Sequence, residues 1–286
     1  MSDLTTIIAE PWDEWALIDC GGGQKLERYG KFKVVRPEPQ AMWAPSASHW
    51  DPDATFVPGS DEEGGGRWVQ HRVLPRQWEL SRGNVRFDAS LTPFRHLGFF
   101  PDMAPQWDWM RDRSHDADLL NLFGYTGVGT LQLSDAGARL VHVDASKKSV
   151  EQGKKNAQLS GMDGSPIRWI VDDAGKFTAR EVRRSRHYDG ILLDPPKFGR
   201  GPTGEVWRLE ENLAPLLADC RRLLDEKSRF LVLTVYAVRM SALAIGELVR
   251  QLFGDLGGRV EMGEMAVREE ARGLLLPTAI FARWSN

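Results

Sequence analysis

The chain has 286 residues, 42% hydrophobic and 27% charged, which suits one or two domains and excludes wholesale disorder. A formal net charge of -3 carries no global nucleic-acid signature, and Met1 to Glu10 lacks the basic-then-apolar pattern of a secretory signal. Two cysteines, Cys20 and Cys220, exclude a disulfide framework and a four-cysteine zinc site; no apolar run reaches the ~18–20 residues of a membrane helix.

Composition changes near residue 117. Residues 1–117 hold 8 of the 11 tryptophans and 10 of the 16 prolines, with 13 Lys+Arg against 18 Asp+Glu. Residues 118–286 hold 24 against 22, so the acidic excess lies in front. That front part reads as short strands and turns. Trp15 to Asp19 is a strand candidate, Gly21-Gly22-Gly23 a turn, and Arg28 to Arg36 a second strand. Pro37 and Pro39 end it, because proline cannot donate to a ladder. Asp51 to Gly66, rich in Asp, Pro and Gly, predicts an exposed loop. Arg67 to Leu74 and Asn84 to Ala89 predict further strands. The expectation is a small β-rich lobe that packs tryptophans, which is compatible with a lobe that reads substrate.

From residue 118 strands and helices alternate. Strands are predicted over Asp118 to Leu122, Arg139 to Val143, Ile167 to Val171, Tyr188 to Leu193 and Phe230 to Tyr236. Helices are predicted over Gly127 to Ala136, Ser146 to Ser160, Lys176 to Ser185, Glu210 to Leu224 and Ser241 to Phe253. Arg259 to Val267 and Thr278 to Trp284 close the chain as two strands without a crossover helix, an antiparallel hairpin at the sheet edge. Repeated βα units imply a parallel sheet with helices on both faces, and in such sheets ligands bind beyond the carboxyl ends of the strands.

Four motifs fall at those strand ends. Asn121-Leu122-Phe123-Gly124-Tyr125-Thr126-Gly127-Val128-Gly129-Thr130 is a glycine turn after the first strand, where backbone can approach a ligand closely. Its Gly-x-x-Gly-x-Gly spacing is not the dinucleotide fingerprint, and no Gly-Lys-Ser/Thr follows to hold a triphosphate. Asp144, ending Val141-His142-Val143-Asp144, is placed to accept from both ribose hydroxyls of an adenosine-like group. In Asp172-Asp173-Ala174 a carboxylate is placed to accept from an adenine amine, Asp173 being the better candidate by its position before Ala174. Asp194-Pro195-Pro196-Lys197-Phe198 is the most specific segment. Two prolines stiffen the backbone and aim Asp194 and the proline carbonyls at one point, which suits an amino or ring-nitrogen group presented for alkylation. Phe198 offers a flat face for a base.

Together these segments resemble class I S-adenosylmethionine-dependent methyltransferases. The closer likeness is to the bacterial 23S rRNA methyltransferase family that contains the large-subunit cytosine carbon-5 enzymes. It rests on Asn121 to Gly127, Val143-Asp144-Ala145-Ser146-Lys147-Lys148, Asn156, and Tyr188-Asp189 leading into Asp194 to Phe198, and it covers roughly residues 84–286. In that family a Gly-Phe-Phe segment upstream of the sheet lines the cofactor pocket. Here it is Gly98-Phe99-Phe100-Pro101-Asp102, although the family's following Gln-Arg is Met103-Ala104.

The resemblance implies a Rossmann-like α/β fold with a mostly parallel seven-stranded sheet ending in an antiparallel hairpin. Residues 1–83 would form the N-terminal β-rich lobe and 84–286 the methyltransferase domain, with 84–117 as its entry segment. It implies S-adenosylmethionine as cofactor, held by Gly98, Phe100, Asn121, Phe123, Tyr125, Thr126, Gly127, Asp144, Ala145, Ser146, Asp173, Ala174 and Asp194. Asp194, Pro195 and Phe198 would carry catalysis, and Lys197 and Arg200 would contact substrate, with no metal and no membrane partner. The expected substrate is a base of ribosomal RNA, in the cytoplasm. A small molecule or protein substrate, and a non-catalytic cofactor-binding module, stay open as alternatives.

Two departures bear on the substrate. The cytosine carbon-5 enzymes use a cysteine thiolate from the loop after the fifth strand. Here that stretch, Leu233 to Arg239, has none, and Cys220 falls in a helix, so cysteine-dependent carbon methylation is not expected. Residues 1–80 do not match the RNA-binding β domain with which those enzymes begin, which weakens RNA as substrate. A basic cluster partly restores it. Arg180, Arg183, Arg184, Arg186 and His187 crowd one helix and its end, and Lys197, Arg200 and Arg208 follow the Asp-Pro-Pro turn.

Overall fold

A computed structural model describes residues 4–59, 65–236 and 239–286. The chain forms two compact units. The smaller comprises Ile8–Ala104 and Ala266–Pro277; the larger comprises Pro105–Met265 and Thr278–Asn286 with the first residues through Ile7.

In the chain's order, β1 (Thr5–Ala9) precedes the strands of the smaller unit: β2 (Trp15–Gly21), β3 (Gln24–Tyr29), β4 (Phe32–Pro37), β5 (Ala54–Pro58) and β6 (Gly66–Gln70). These five form one sheet in sequence order, antiparallel throughout except for the parallel pair β4–β5. A hairpin of β7 (Trp78–Arg82) and β8 (Val85–Ala89) follows. The expected strand Arg28 to Arg36 is instead two strands. The chain reverses at Gly30, whose φ of 62 suits glycine, and Tyr29 then faces Phe32 across the hairpin. The expected loop Asp51 to Gly66 contains β5, because Ala54 and Phe56 bury their side chains against the sheet; residues 60–64 of that stretch lie outside the described residues.

The tryptophans serve this unit in two ways. Trp15 is fully buried, whereas Trp12, Trp43, Trp68 and Trp78 are half-buried and spend their indole N–H on the carbonyls of Ser81, Cys20, Thr92 and Tyr29. A buried ion pair stiffens β3 against β4: the Arg36 guanidinium donates to both Glu27 carboxylate oxygens at 2.7 Å and to the Tyr29 hydroxyl at 2.8 Å. Such a pair survives burial because its remaining lone pairs and protons are also used.

The larger unit contains α1 (Ala104–Arg111), β9 (Asp118–Leu122), α2 (Val128–Asp135), β10 (Arg139–Asp144), α3 (Lys147–Leu159), β11 (Ile167–Val171), α4 (Ala174–Arg183) and β12 (Gly190–Leu193). The chain continues through β13 (Phe198–Arg200), β14 (Val206–Arg208), α5 (Leu209–Arg222), β15 (Phe230–Tyr236), α6 (Ala242–Phe253), β16 (Arg259–Arg268) and β17 (Leu275–Ser285). The sheet order is β1-β16-β17-β15-β12-β9-β10-β11. β11, β10, β9, β12 and β15 are mutually parallel and β17 is antiparallel to β15. The seven expected strands are joined by an eighth, β1, which docks on β16. A Cβ added to Gly263 would lie 1.7 Å from the Thr5 carbonyl oxygen.

The central strands are buried on both faces. Leu120, Leu122, Val143, Ile191, Leu193, Leu231 and Leu233 join a core completed by α4, α5 and α6. This explains their continuous apolar runs, since a strand covered on both sides has no polar face to alternate with. Helix boundaries follow side-chain caps: Ser146, Asp173 and Ser241 each accept from an amide of the first turn.

Candidate active site

β9 leads to β10 and β11 on one side, and the chain then returns to place β12 on the other side of β9. The strand order therefore reverses between β9 and β12, where a crevice opens beyond the carboxyl ends. Register fixes what borders it. Leu193 pairs with Leu122 and Leu122 with Val143. The next residues along these strands are Asp194, Phe123 and Asp144, in adjacent positions along one sheet edge. Strands lie ~4.8 Å apart, so Asp194 and Asp144 stand ~10 Å from one another with the glycine turn between them.

That turn is strained and held. Phe123 has φ 57 and Tyr125 φ 49, left-handed conformations unusual for residues with a Cβ, and Gly127 has φ 77. The amides of Gly124 and Tyr125 donate to the Val143 carbonyl at 3.0 Å and to Asp144 Oδ2 at 2.8 Å. The Thr126 carbonyl accepts from Asn156 Nδ2 at 2.9 Å, which gives Asn156 a structural task one helix away. Below the turn, Asn121 Nδ2 donates to Thr130 Oγ1 at 2.8 Å, and Thr130 in turn reaches His142 Nδ1 at 2.9 Å. Asn121 thus supports the turn from inside. His142 is fully buried against Trp169, and burial depresses its pKa to about 3, so the ring is neutral. A Cβ at Gly124 would meet this ring at 2.4 Å, which accounts for the glycine.

Asp144 accepts from Ser146 N at 2.8 Å through Oδ1, as it does from Tyr125 N through Oδ2. Each carboxylate oxygen has two lone pairs, so one remains on each for a further donor. That acceptor pair matches the donors of a vicinal diol, and the residues fit the ribose of S-adenosylmethionine. Burial raises the Asp144 pKa, opposed by the two amide hydrogen bonds. Ser146 caps α3 with its side chain accepting from Ser149 N, and Ala145 bridges the strand and this cap. Asp173 caps α4, its Oδ1 accepting from Lys176 N at 2.9 Å, and Ala174 is the buried first residue of the helix. Asp172 is engaged by Arg180 at 2.5 Å. Gly98 and Phe100 belong to the smaller unit. Gly98 has φ 102, Phe100 precedes a short helical turn, and Phe99 between them packs on Phe87 and Tyr29.

After Asp194 the buried Pro195 and exposed Pro196 lead into the two-stranded ribbon β13–β14, which sequence reasoning missed. Trp207 plugs the ribbon down: its indole N–H donates to the Pro196 carbonyl at 2.7 Å and its ring packs on Phe123 at 4.9 Å. Phe198 and Arg200 on β13, and Val206 and Arg208 on β14, occupy the ribbon's other face. Phe198 is 39% exposed, with Arg208 reaching over its ring, and Lys197 is exposed at the start of the ribbon. Lys176 forms an ion pair with Glu205, fastening the ribbon to α4. Trp207 and Glu205 carry no pattern that would single them out; a tryptophan so soon after a proline-flanked turn is the one available clue, whereas Arg208 is expected among the basic residues after that turn.

The basic cluster divides. Arg180 and Arg184 are paired with Asp172 and Glu181, whereas Arg186 and His187 sit at the opposite end of the strands from Asp194. Both cysteines are buried. Cys20 in the smaller unit contacts Glu269 and its pKa is pushed up to about 12, and burial in α5 raises that of Cys220 further. Ala237 and Val238, in the segment after β15, lie outside the described residues.

Comparison with known proteins agrees with this geometry. A solved S-adenosylmethionine-dependent methyltransferase from Agrobacterium tumefaciens is 41% identical, with a TM-score of 0.94 over 100% of this chain and 96% of that one. A methyltransferase solved in complex with SAH is 16% identical with a TM-score of 0.75, covering 96% of this chain and 76% of that one, and shares the fold. Among curated proteins, ribosomal RNA large subunit methyltransferase K/L of Syntrophotalea carbinolica is 31% identical over 48% of this chain. Ribosomal RNA large subunit methyltransferase I of Alteromonas mediterranea is 26% identical over 46%. The matched regions span only 19% and 33% of those two proteins. Residues 49–232 match the S-adenosylmethionine-dependent methyltransferase family, and the chain belongs to it.

Proposed function

We propose that this methyltransferase acts on a base of ribosomal RNA, at an exocyclic amino or ring nitrogen, in the cytoplasm. The observation that carries the reading is the juxtaposition at the switch point. A carboxylate on a diproline corner stands beside the glycine turn, and the adjoining ribbon carries an exposed aromatic ring with guanidinium groups around it. Aromatic faces and arginines are what an unstacked base and its phosphates require. The two similar rRNA methyltransferases support the substrate class. The buried, protonated thiols favour nitrogen over cysteine-assisted carbon chemistry.

S-adenosylmethionine, when bound, supplies a methyl group already activated by its sulfonium. The chain's task is therefore to position and to manage one proton. Asp144 holds the two ribose hydroxyls, while the Tyr125 to Gly127 backbone, Ser146, Asp173 and Ala174 border the nucleoside. Phe198 stacks on the target base. Asp194, with the Pro195 carbonyl, accepts the hydrogens of the nitrogen, aligns its lone pair and takes the proton released as the new bond forms. The Trp207 plug and the Lys176–Glu205 pair keep the ribbon, with Lys197 and Arg200, in place around the base. A target within a helix must first be flipped out.

The test is direct. Purified protein is incubated with methyl-labelled cofactor and rRNA from a strain lacking the gene, and the labelled nucleotide is mapped. One labelled position, absent with wild-type rRNA, is expected. Label in neither rRNA nor tRNA would overturn RNA as substrate.

A further inference from the structure

A cavity of about 370 Å³ opens at the amino ends of β9, β10 and β11, one strand length away from Asp144 and Asp194. Its volume lies within the ~300–1,000 Å³ range of small-ligand sites. Val141, Ile167 and Tyr188 contribute apolar lining, and Arg168 and Arg186 stand at its rim. Among the described residues neither guanidinium has a carboxylate within ion-pair distance, in contrast to Arg139 on the same rim, which is bound to Asp118 at 2.6 Å. His187 is nearby, 4.0 Å from Asp225. Both free guanidinium charges act on the Tyr188 phenol, whose hydroxyl donates to Glu181 at 2.9 Å. The site thus joins two unneutralised arginines to a greasy floor. Arginine forks match phosphate oxygens in pairs, and an apolar floor suits a nucleoside.

We propose that this cavity is a second RNA-contact site, holding a backbone phosphate between Arg168 and Arg186 with its nucleoside against Val141 and Ile167. The proposal rests on RNA being the substrate. It gives the chain a grip on the strand remote from the reacting base, set by phosphate position and not by sequence. A free nucleotide offers the same phosphate chemistry, and the experiment separates the two sources.

The full-length protein and the double variant Arg168→Glu/Arg186→Glu are compared, with Lys154→Glu as a control on α3, outside the cavity. Lys154, Arg168 and Arg186 are solvent-exposed, and thermal unfolding checks the fold of each variant. Filter binding of rRNA from the deletion strain is measured at several salt concentrations. Calorimetry follows S-adenosylhomocysteine and adenosine 5′-monophosphate. The expected result is RNA binding weakened about tenfold in the double variant, with a salt dependence shallower by about 0.7 for each phosphate the variant no longer grips. Lys154→Glu should change it by less than about threefold, and S-adenosylhomocysteine affinity should hold in all three proteins. RNA binding equal in wild type and double variant, with no adenosine monophosphate bound, overturns the proposal. Equal RNA binding with nucleotide binding abolished in the double variant rejects the RNA source and retains the phosphate site. If wild-type protein binds no rRNA at all, the substrate reading has failed, and the nucleotide titration alone decides the cavity.

Discussion

Replacing Asp144 by alanine separates what the carboxylate does for the fold from what it does for the cofactor. In the protein alone, the change removes the acceptors of two amides, Tyr125 N and Ser146 N, each at 2.8 Å. The Ser146 amide is exposed and turns to water, whereas the Tyr125 amide is half-buried in a strained turn and is left without its partner. A buried donor left unpaired costs about 1–3 kcal/mol, so the variant still folds but melts lower. On binding, the two remaining lone pairs meet two ribose hydroxyls. Hydrogen bonds to an ionised group contribute about 1.5–3 kcal/mol each, so about 3 kcal/mol is the least expected loss, more than a hundredfold in affinity. Titration calorimetry with S-adenosylhomocysteine reads this directly, with thermal unfolding as the check on folding. A melting shift with affinity within about threefold of wild type would refute the ribose assignment and leave Asp144 a mere clip for the turn. The carboxylate must also be ionised to accept fully. Since burial raises its pKa above the ordinary 3.8, affinity should fall on acidification at a higher pH than an exposed aspartate would give.

Further outcomes follow from the same edge of the sheet. Asp194→Ala should keep cofactor affinity within about twofold and lose at least about a hundredfold in turnover; the reverse pattern would exchange its role with that of Asp144. His142 binds no proton in the fold until pH falls to about 3, whereas the unfolded chain takes one up below about 6.5. Stability must therefore decline as pH falls through this window, by about 2 kcal/mol between pH 7 and 5 from this residue alone. Denaturant titrations at the two pH values should show a correspondingly smaller decline in His142→Gln, and equal slopes would dismiss the buried neutral ring. Gly127→Ala places a Cβ at φ 77 and 2.9 Å from the Trp169 ring, so it should destabilise by at least about 1 kcal/mol, read as a lower Tm. Asn156→Ala strips the Thr126 carbonyl of its donor and should weaken cofactor binding without touching the pocket, measurable by the same calorimetry.

Much of the larger unit is legible because its strands are sandwiched. Asp118–Leu122 and Phe230–Tyr236 are short apolar runs between turn residues, and the structure bounds them where the sequence does. The smaller unit hides its strands by the opposite means. In Arg28 to Arg36 a tight reversal at Gly30 leaves the apolar pattern unbroken, and β5 sits in a polar, proline-rich stretch because only Ala54 and Phe56 need burial. The ribbon β13–β14 has three-residue strands, too short for any period to register. Pairings such as Arg180 with Asp172 span a helix and depend on its rotation, so the sequence shows the charges but not which of them are already spent. That is why Arg180, Arg184, Arg186 and His187 read as one surface in the sequence and resolve into two paired arginines and two residues at a distant cavity.

The strand β1 has a consequence for handling the protein. Its five residues pair along part of the outer flank of β16, a ten-residue strand that would otherwise end the sheet with a longer row of unmet amides and carbonyls. Bare flanks of that length recruit other chains. Deleting the strand Thr5–Ala9, which carries none of the assigned chemistry, should therefore raise self-association before any loss of cofactor affinity.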